Sequence, residues 1–222
     1  MRAHESFTCL VTGDRAPRAN FHTLLSCVLP RPIAFVSTLS ADGVHNLAPF
    51  SFFNAVGSNP PAVIFSPSTR ADGTQKDTIN NLRQVPEMVV QVVPHAIAEA
   101  MNQASAQYAP EVSEFQAAGF TPIPSRYIRP MRVAESPVQM ECRLLRIVPV
   151  GDGPLSGNVC IGEVLCFHVA DGFLTGDETV DIEKIDLIGR MGGDWYSTIR
   201  DRFELSKPAA GSTGNVRPRP AR

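Results

Sequence analysis

At least six runs of strand character lie along this chain with no helix regularly set between them. They are residues 33–40 (IAFVSTLS), 44–51 (VHNLAPFS), 62–66 (AVIFS), 87–93 (EMVVQVV), 137–150 (PVQMECRLLRIVPV) and 158–170 (NVCIGEVLCFHVA). A doubly wound parallel sheet needs strand and helix to alternate, so that architecture is disfavoured. No GxGxxG follows a strand either. The pattern predicts a mainly β protein, an antiparallel barrel closed or partly open, with a few peripheral helices. Asp42-Gly43 is the bend of a hairpin joining the first two runs. A Gly/Pro/Ser turn joins the last two.

Helical character is confined to 20–28, with Asn20 as its N-cap, to the stretch from Asp77, and to 96–108 and 113–120. The prolines of 121–130 read as extended loop. From Lys207 the composition turns to Pro, Gly, Ala and Arg without an apolar period. Residues 1–206 are therefore expected to form one domain, with 207–222 a mobile or surface-draped tail. A length of 222 residues suits one domain with a sizeable core.

Several classes of partner are disfavoured. A formal net charge of −2 argues against nucleic acid, which needs a basic face. No apolar run is long enough to span a membrane. The first residues, MRAHESFTCLVTGD, lack the apolar core of a signal peptide, so a cytoplasmic location is expected. The five cysteines are odd in number and scattered without CxxC, which predicts reduced thiols in the core. The histidines at 4, 22, 45, 95 and 168 have no metal-ligand spacing, and no metal site is expected. His168 reads as a satisfied structural group.

Two stretches carry polar residues where plain structure has little use for them. In SPSTRADGTQKDTINNL (66–82), Asp77 can cap a helix whose free N–H groups face Ser66, Arg70, Lys76 and Thr78. That is a sound phosphate cradle. Taken alone, it reads first as an ordinary polar loop. In NLAPFSFFNAVGSNPP (46–61), Ser51 and Asn54 interrupt three phenylalanines. Main-chain groups near Pro49, with Ser51 and Asn54, can read the edge of a flat heteroaromatic ring. Taken alone, the stretch reads first as a core strand. Together, one strand apart, the two suit a mononucleotide with a ring at one end.

The block RPIAFVSTLSADGVHNLAPFSFFNAVGSNPPAVIFS, followed by R-x-DG-x-x-KDT, resembles the flavin reductase-like, FMN-binding split-barrel family that includes flavoredoxins. ESPVQMECRL (135–144), GEVLCFHV (162–169) and GRMGGDWYS (189–197) support the likeness, with Met191 where the family has leucine. The resemblance spans about residues 20–205. It implies a six-stranded antiparallel Greek-key split barrel that forms a homodimer, with FMN near the interface.

By the same likeness, Ser37 and Thr38 border the flavin. Ala48, Pro49, Phe50, Ser51, Phe53 and Asn54 line its ring. Ser66, Arg70, Lys76, Asp77 and Thr78 address the phosphate and ribityl chain, and Arg190 and Gly192 lie near the open face. No catalytic side chain is required, because the flavin carries the chemistry. Tyr196 and His45 are the candidates for such a role, and Trp195 and Tyr196 either gate the flavin or pack. The implied activity is an NAD(P)H-dependent flavin reductase, with FAD as an alternative flavin substrate and a monooxygenase as a recipient of reduced flavin. A tightly bound FMN enzyme or flavoredoxin-like carrier is the alternative, and a non-catalytic FMN-binding dimer a third.

Overall fold

A computed structural model describes residues 6–207, so the predicted tail lies, apart from Lys207, outside the described residues. In chain order come α1 (Pro17–Cys27), β1 (Arg31–Pro32), β2 (Ala34–Leu39), β3 (His45–Phe50), β4 (Phe53–Ser58), β5 (Pro61–Phe65), α2 (Asp77–Gln84) and β6 (Glu87–Gln91). Then follow α3 (Ala98–Gln103), α4 (Glu114–Ala117), β7 (Pro122–Ile123), β8 (Arg132–Val133), β9 (Val138–Val150), β10 (Gly157–Val169), β11 (Ile188–Arg190) and β12 (Tyr196–Thr198). The architecture is mainly β, the split barrel that was expected. Its main sheet has seven antiparallel strands in the order β3-β2-β6-β9-β10-β5-β4. The strand beyond the expected six is β4, which hides in FNAVGS because all but its first residue are exposed and carry no buried apolar pattern.

β2 explains why one segment reads as continuously apolar. Ala34 and Val36 face one buried cluster, with Phe50, Phe65, Met88 and Met140. Ile33 and Phe35 face a second, with Leu47, Phe115 and Phe120. A strand covered on both faces has no solvent side to alternate towards. The long hairpin β9–β10 forms as its apolar pattern predicts, with shifts of register after Ile161 and Val164.

The helices depart from expectation for local reasons. α1 begins at Pro17, in the N1 position that suits proline, and Asn20 does not cap it. The Asn20 amide instead donates to the Thr12 carbonyl at 2.8 Å. The helix expected over 96–108 is only Ala98–Gln103. Past it, the Ser105 hydroxyl donates to the Asn102 carbonyl at 2.6 Å, a side-chain bond that competes with the helix ladder. Among the described residues, no helix is long and apolar enough to cross a membrane.

Cys142 and Cys160 are buried free thiols, and burial pushes both up to about 12. They are inert packing groups rather than nucleophiles.

Candidate functional site

The junction of β3 and β4 creates the site. Phe50 ends β3 opposite Ala34, and Phe53 opens β4 opposite Phe65. Ser51 and Phe52 fall between the two ladders, and neither backbone N–H donates to a described residue. The Phe52 carbonyl accepts the Ser66 N–H at 2.9 Å, which fixes the bend. Because two residues intervene, Phe50 and Phe53 both pack with the barrel core. Phe52 turns outward, edge-on to Phe21 of α1 with ring centroids 6.4 Å apart.

A cleft of about 550 Å³ opens at this bend, within the range of about 300–1,000 Å³ usual for small-molecule sites. Pro49, Phe50, Ser51, Ser66, Arg70, Lys76 and Arg190 all line it, as do Phe21, Leu25, Arg31, Phe52, Ser68 and Thr69. Two cavities of about 190 Å³ adjoin it and share some of these residues. One is lined by Ala48, Pro49, Arg70, Lys76, Asp77, Thr78 and Glu114. The other is lined by Pro49, Phe50, Ser51, Asn102, Ser105, Arg190 and Tyr196.

The electrostatics of the main cleft are one-sided. Arg31, Arg70, Lys76 and Arg190 line it, and no carboxylate does. Arg70 is neutralised behind the wall by Asp77, 2.8 Å away, and also donates to the Gln75 carbonyl. The Lys76 ammonium has no hydrogen bond or ion pair with any described residue. Its Nζ sits 5.6 Å from the centroid of the Phe50 ring. Burial, reinforced by the charge of Arg70, lowers its proton affinity below that of an ordinary lysine. A desolvated cation with no partner costs stability unless an anion joins it.

Arg31 is a different kind of cation. Only 3% exposed, it donates through Nη1 to the Leu25 and Val28 carbonyls (2.6 and 2.8 Å). Nη2 donates to the Met191 carbonyl at 2.8 Å, and Nε to Ser51 Oγ at 3.3 Å. One side chain thus clips the end of α1, the loop after β11 and the bend at Ser51. Burial and the neighbouring Arg190 charge lower its proton affinity.

Several sequence-predicted site residues lie elsewhere. Ser37 and Thr38 are fully buried on β2. Ser37 Oγ donates to the Met131 carbonyl at 2.5 Å, and Thr38 Oγ1 accepts from Asn81 at 3.1 Å. Both are committed to holding the second layer together. Asn54 is exposed, and its Oδ1 accepts the N–H of the next residue. Phe53 packs inward because of the two-residue bend. Gly192 lies against Ser26 of α1 rather than in the cleft. His45 lines none of the three cavities. It packs edge-on to Phe115 with Nδ1 buried and unbonded, and burial lowers its proton affinity.

Asp77 is the first residue of α2 but does not cap it: Lys76 occupies the cap position, and Asp77 turns to Arg70. Thr78 is buried behind the cradle, accepting from the Asn46 amide at 3.2 Å. Tyr196 reaches the site, under the Arg190 guanidinium at 4.5 Å, whereas Trp195 is 78% exposed. His168 is structural, with Nε2 donating to Glu141 at 2.7 Å.

Sequence reasoning missed Arg31, Phe52 and Glu114. The first had a signal, an arginine between two prolines at the head of an apolar strand. Phe52 had none, because its direction depends on a bend visible only in three dimensions. Glu114 is buried beside the cradle, accepting the Leu47 N–H at 2.8 Å, and burial raises its pKa.

Comparison with known proteins agrees with this geometry. Residues 25–179 match the family model described as flavin reductase like domain. The chain is 42% identical over 176 residues to an uncharacterised protein of Aquifex aeolicus, covering 79% of this chain and 88% of that one. Nitrilotriacetate monooxygenase component B from Bacillus cereus superposes with a TM-score of 0.86 at 33% identity, covering 91% of this chain and all of that one. The 2-nitrobenzoate 2-nitroreductase of Pseudomonas fluorescens superposes with a TM-score of 0.82 at 28% identity, over 93% of this chain and all of its own. The chain belongs to the flavin reductase-like domain family, a group of flavin-linked oxidoreductases.

Proposed function

We propose that this protein binds FMN and works as an NAD(P)H-dependent flavin reductase. The observation that carries the reading is Lys76, a half-buried cation with no carboxylate in contact, facing a cleft that no carboxylate lines. A phosphate monoester of about −1.5 to −2 charge is the complement it lacks. Lys76 and Arg70, with the hydroxyls of Ser66, Ser68 and Thr69, would hold that phosphate. The free N–H groups of Ser51 and Phe52 suit the polar edge of a ring, and Phe52 with Phe21 supplies a flat apolar wall.

When bound, FMN accepts hydride from the nicotinamide and passes the electrons on. The chain's part is to orient the ring, stabilise added negative charge through amide donors and cations, and keep one face accessible. Anaerobic titration of the purified protein with FMN, then NADH, then NADPH checks this. A yellow protein bleached by one of the two donors is expected. A protein that takes up no FMN sinks the reading.

A second reading is a tightly held FMN that reduces an organic substrate or a protein, and the cavity beside Tyr196 favours it. The likeness to a monooxygenase component supports the first reading, and the likeness to a nitroreductase supports the second. Dialysis separates them: retained FMN with poor use of free flavin selects the second.

We also propose a homodimer. Leu145, Val148, Val150, Leu165 and Phe167 are large apolar side chains left exposed along β9 and β10, where a second copy would cover them. Light scattering should give twice the chain mass, and a monomer that binds FMN tightly overturns this.

A further inference from the structure

We infer that Arg190 and the cavity beside Tyr196 form an oxyanion subsite for the second substrate, the molecule that exchanges hydride with the flavin. The inference rests on the flavin reading above and assigns Arg190 to the substrate rather than to the cofactor.

The cations of the cleft divide into two ends. Lys76 and Arg70 line the main cleft and the cavity on the α2 side, but not the cavity beside Tyr196. Arg190 lines the main cleft and the Tyr196 cavity, but not the α2 side. Pro49, Phe50 and Ser51 lie between the two ends, since they line both the main cleft and the Tyr196 cavity. A flavin whose phosphate sits on Lys76 therefore presents its ring near this cavity, not its phosphate.

The charge balance points the same way. Arg70 is already matched by Asp77, and a phosphate matches Lys76. Arg31 keeps its charge but spends its donors on three carbonyls and Ser51. Arg190 alone among the four combines an unspent fork with an adjoining cavity. Its Nη2 donates to the Gly193 carbonyl at 2.7 Å, and no other hydrogen bond of its guanidinium is made to a described residue. Asp194 is 3.7 Å away and fully exposed, so water screens that contact. The Tyr196 ring, 4.5 Å below, holds the guanidinium plane in place.

The cavity is small and about half polar, with Ile33, Phe50 and Met101 on its apolar side. Asn102, Ser105 and Tyr196 line it with Arg190, and no acidic side chain does. At about 190 Å³ it admits one ring or one anionic group, not a whole dinucleotide. A planar guanidinium with free N–H groups recognises carboxylate and phosphate oxygens, preferably in pairs. Two sources share that chemistry: the carboxylate of an aromatic acid, and the 2′-phosphate that distinguishes NADPH from NADH.

The test uses FMN-loaded protein, wild type and Arg190→Gln, with benzoate, benzamide, NADH and NADPH as probes. Benzoate should perturb the flavin spectrum and bind about tenfold or more tightly than neutral benzamide, a preference lost in Arg190→Gln. If instead NADPH is preferred over NADH and Arg190→Gln abolishes that preference, the oxyanion is the 2′-phosphate. In either case the FMN dissociation constant stays within about twofold of wild type, because the cradle is at the other end. Parallel loss of FMN affinity overturns the assignment and returns Arg190 to the cofactor. So do equal binding of benzoate and benzamide and a donor preference indifferent to the substitution. Failure of wild-type protein to bind FMN sinks the flavin reading itself, a distinct result.

Discussion

Lys76→Met should raise the dissociation constant for FMN by about 10- to 150-fold while leaving the empty protein as stable as before, or more so. The first figure corresponds to one charge-assisted hydrogen bond, about 1.5–3 kcal/mol. The second expectation follows from the absence of any hydrogen-bond or ion-pair partner for Nζ among the described residues. Removing an ammonium that burial disfavours relieves a cost, which offsets the loss of its contact with the Phe50 ring. Flavin fluorescence quenching and a thermal melt of the apo protein measure the two. Opposite responses mark a binding residue, whereas an ordinary structural lysine would lower both affinity and melting temperature. Unchanged affinity removes Lys76 from the cradle.

Glu141→Ala should cost about 3–5 kcal/mol of stability at neutral pH, the usual result of breaking a buried charged network. In a chain this size that is a fall in Tm on the order of 10 °C. Glu141 is 0% exposed and accepts the N–H groups of Arg126 and Tyr127, each at 2.7 Å, as well as the His168 ring. Burial alone would raise its pKa, but these donors outweigh burial and lower it from 4.5. A lowered carboxylate contributes stability above its unfolded pKa and loses it as pH falls through the folded one. The gap between wild type and Glu141→Ala should therefore be widest above pH 4.5 and narrow in acid. Melting curves from pH 3 to 7.5 test this, and a gap constant across that range would contradict it.

The two faces of β2 and the long β9–β10 hairpin could be read from the sequence because apolar periodicity reports burial directly. That Arg70 and Lys76 lie together was equally visible, since only five residues separate them along the chain. What escaped was parity. A two-residue bend between Phe50 and Phe53 reverses which phenylalanine faces the core, and no local pattern marks it. For the same reason Asn54 was assigned to the site and Phe52 was not. Arg31 escaped for another reason: its partners lie in α1, in the Ser51 bend and beyond β11, and long-range donors leave no trace in spacing. Ser37 and Thr38 were misplaced because a buried hydroxyl paired across layers has the same one-letter signature as one lining a pocket.

The hydrogen bond from Arg31 to the Met191 carbonyl joins groups 160 residues apart. Its consequence lies in how the protein is made. A chain leaving the ribosome has Lys76 and the Ser51 bend early, yet the last of the Arg31 bonds is missing until nearly the last strand emerges. A chain cut short before Met191 therefore keeps the Arg31 bonds to Leu25, Val28 and Ser51 but lacks its tie to the segment after β11.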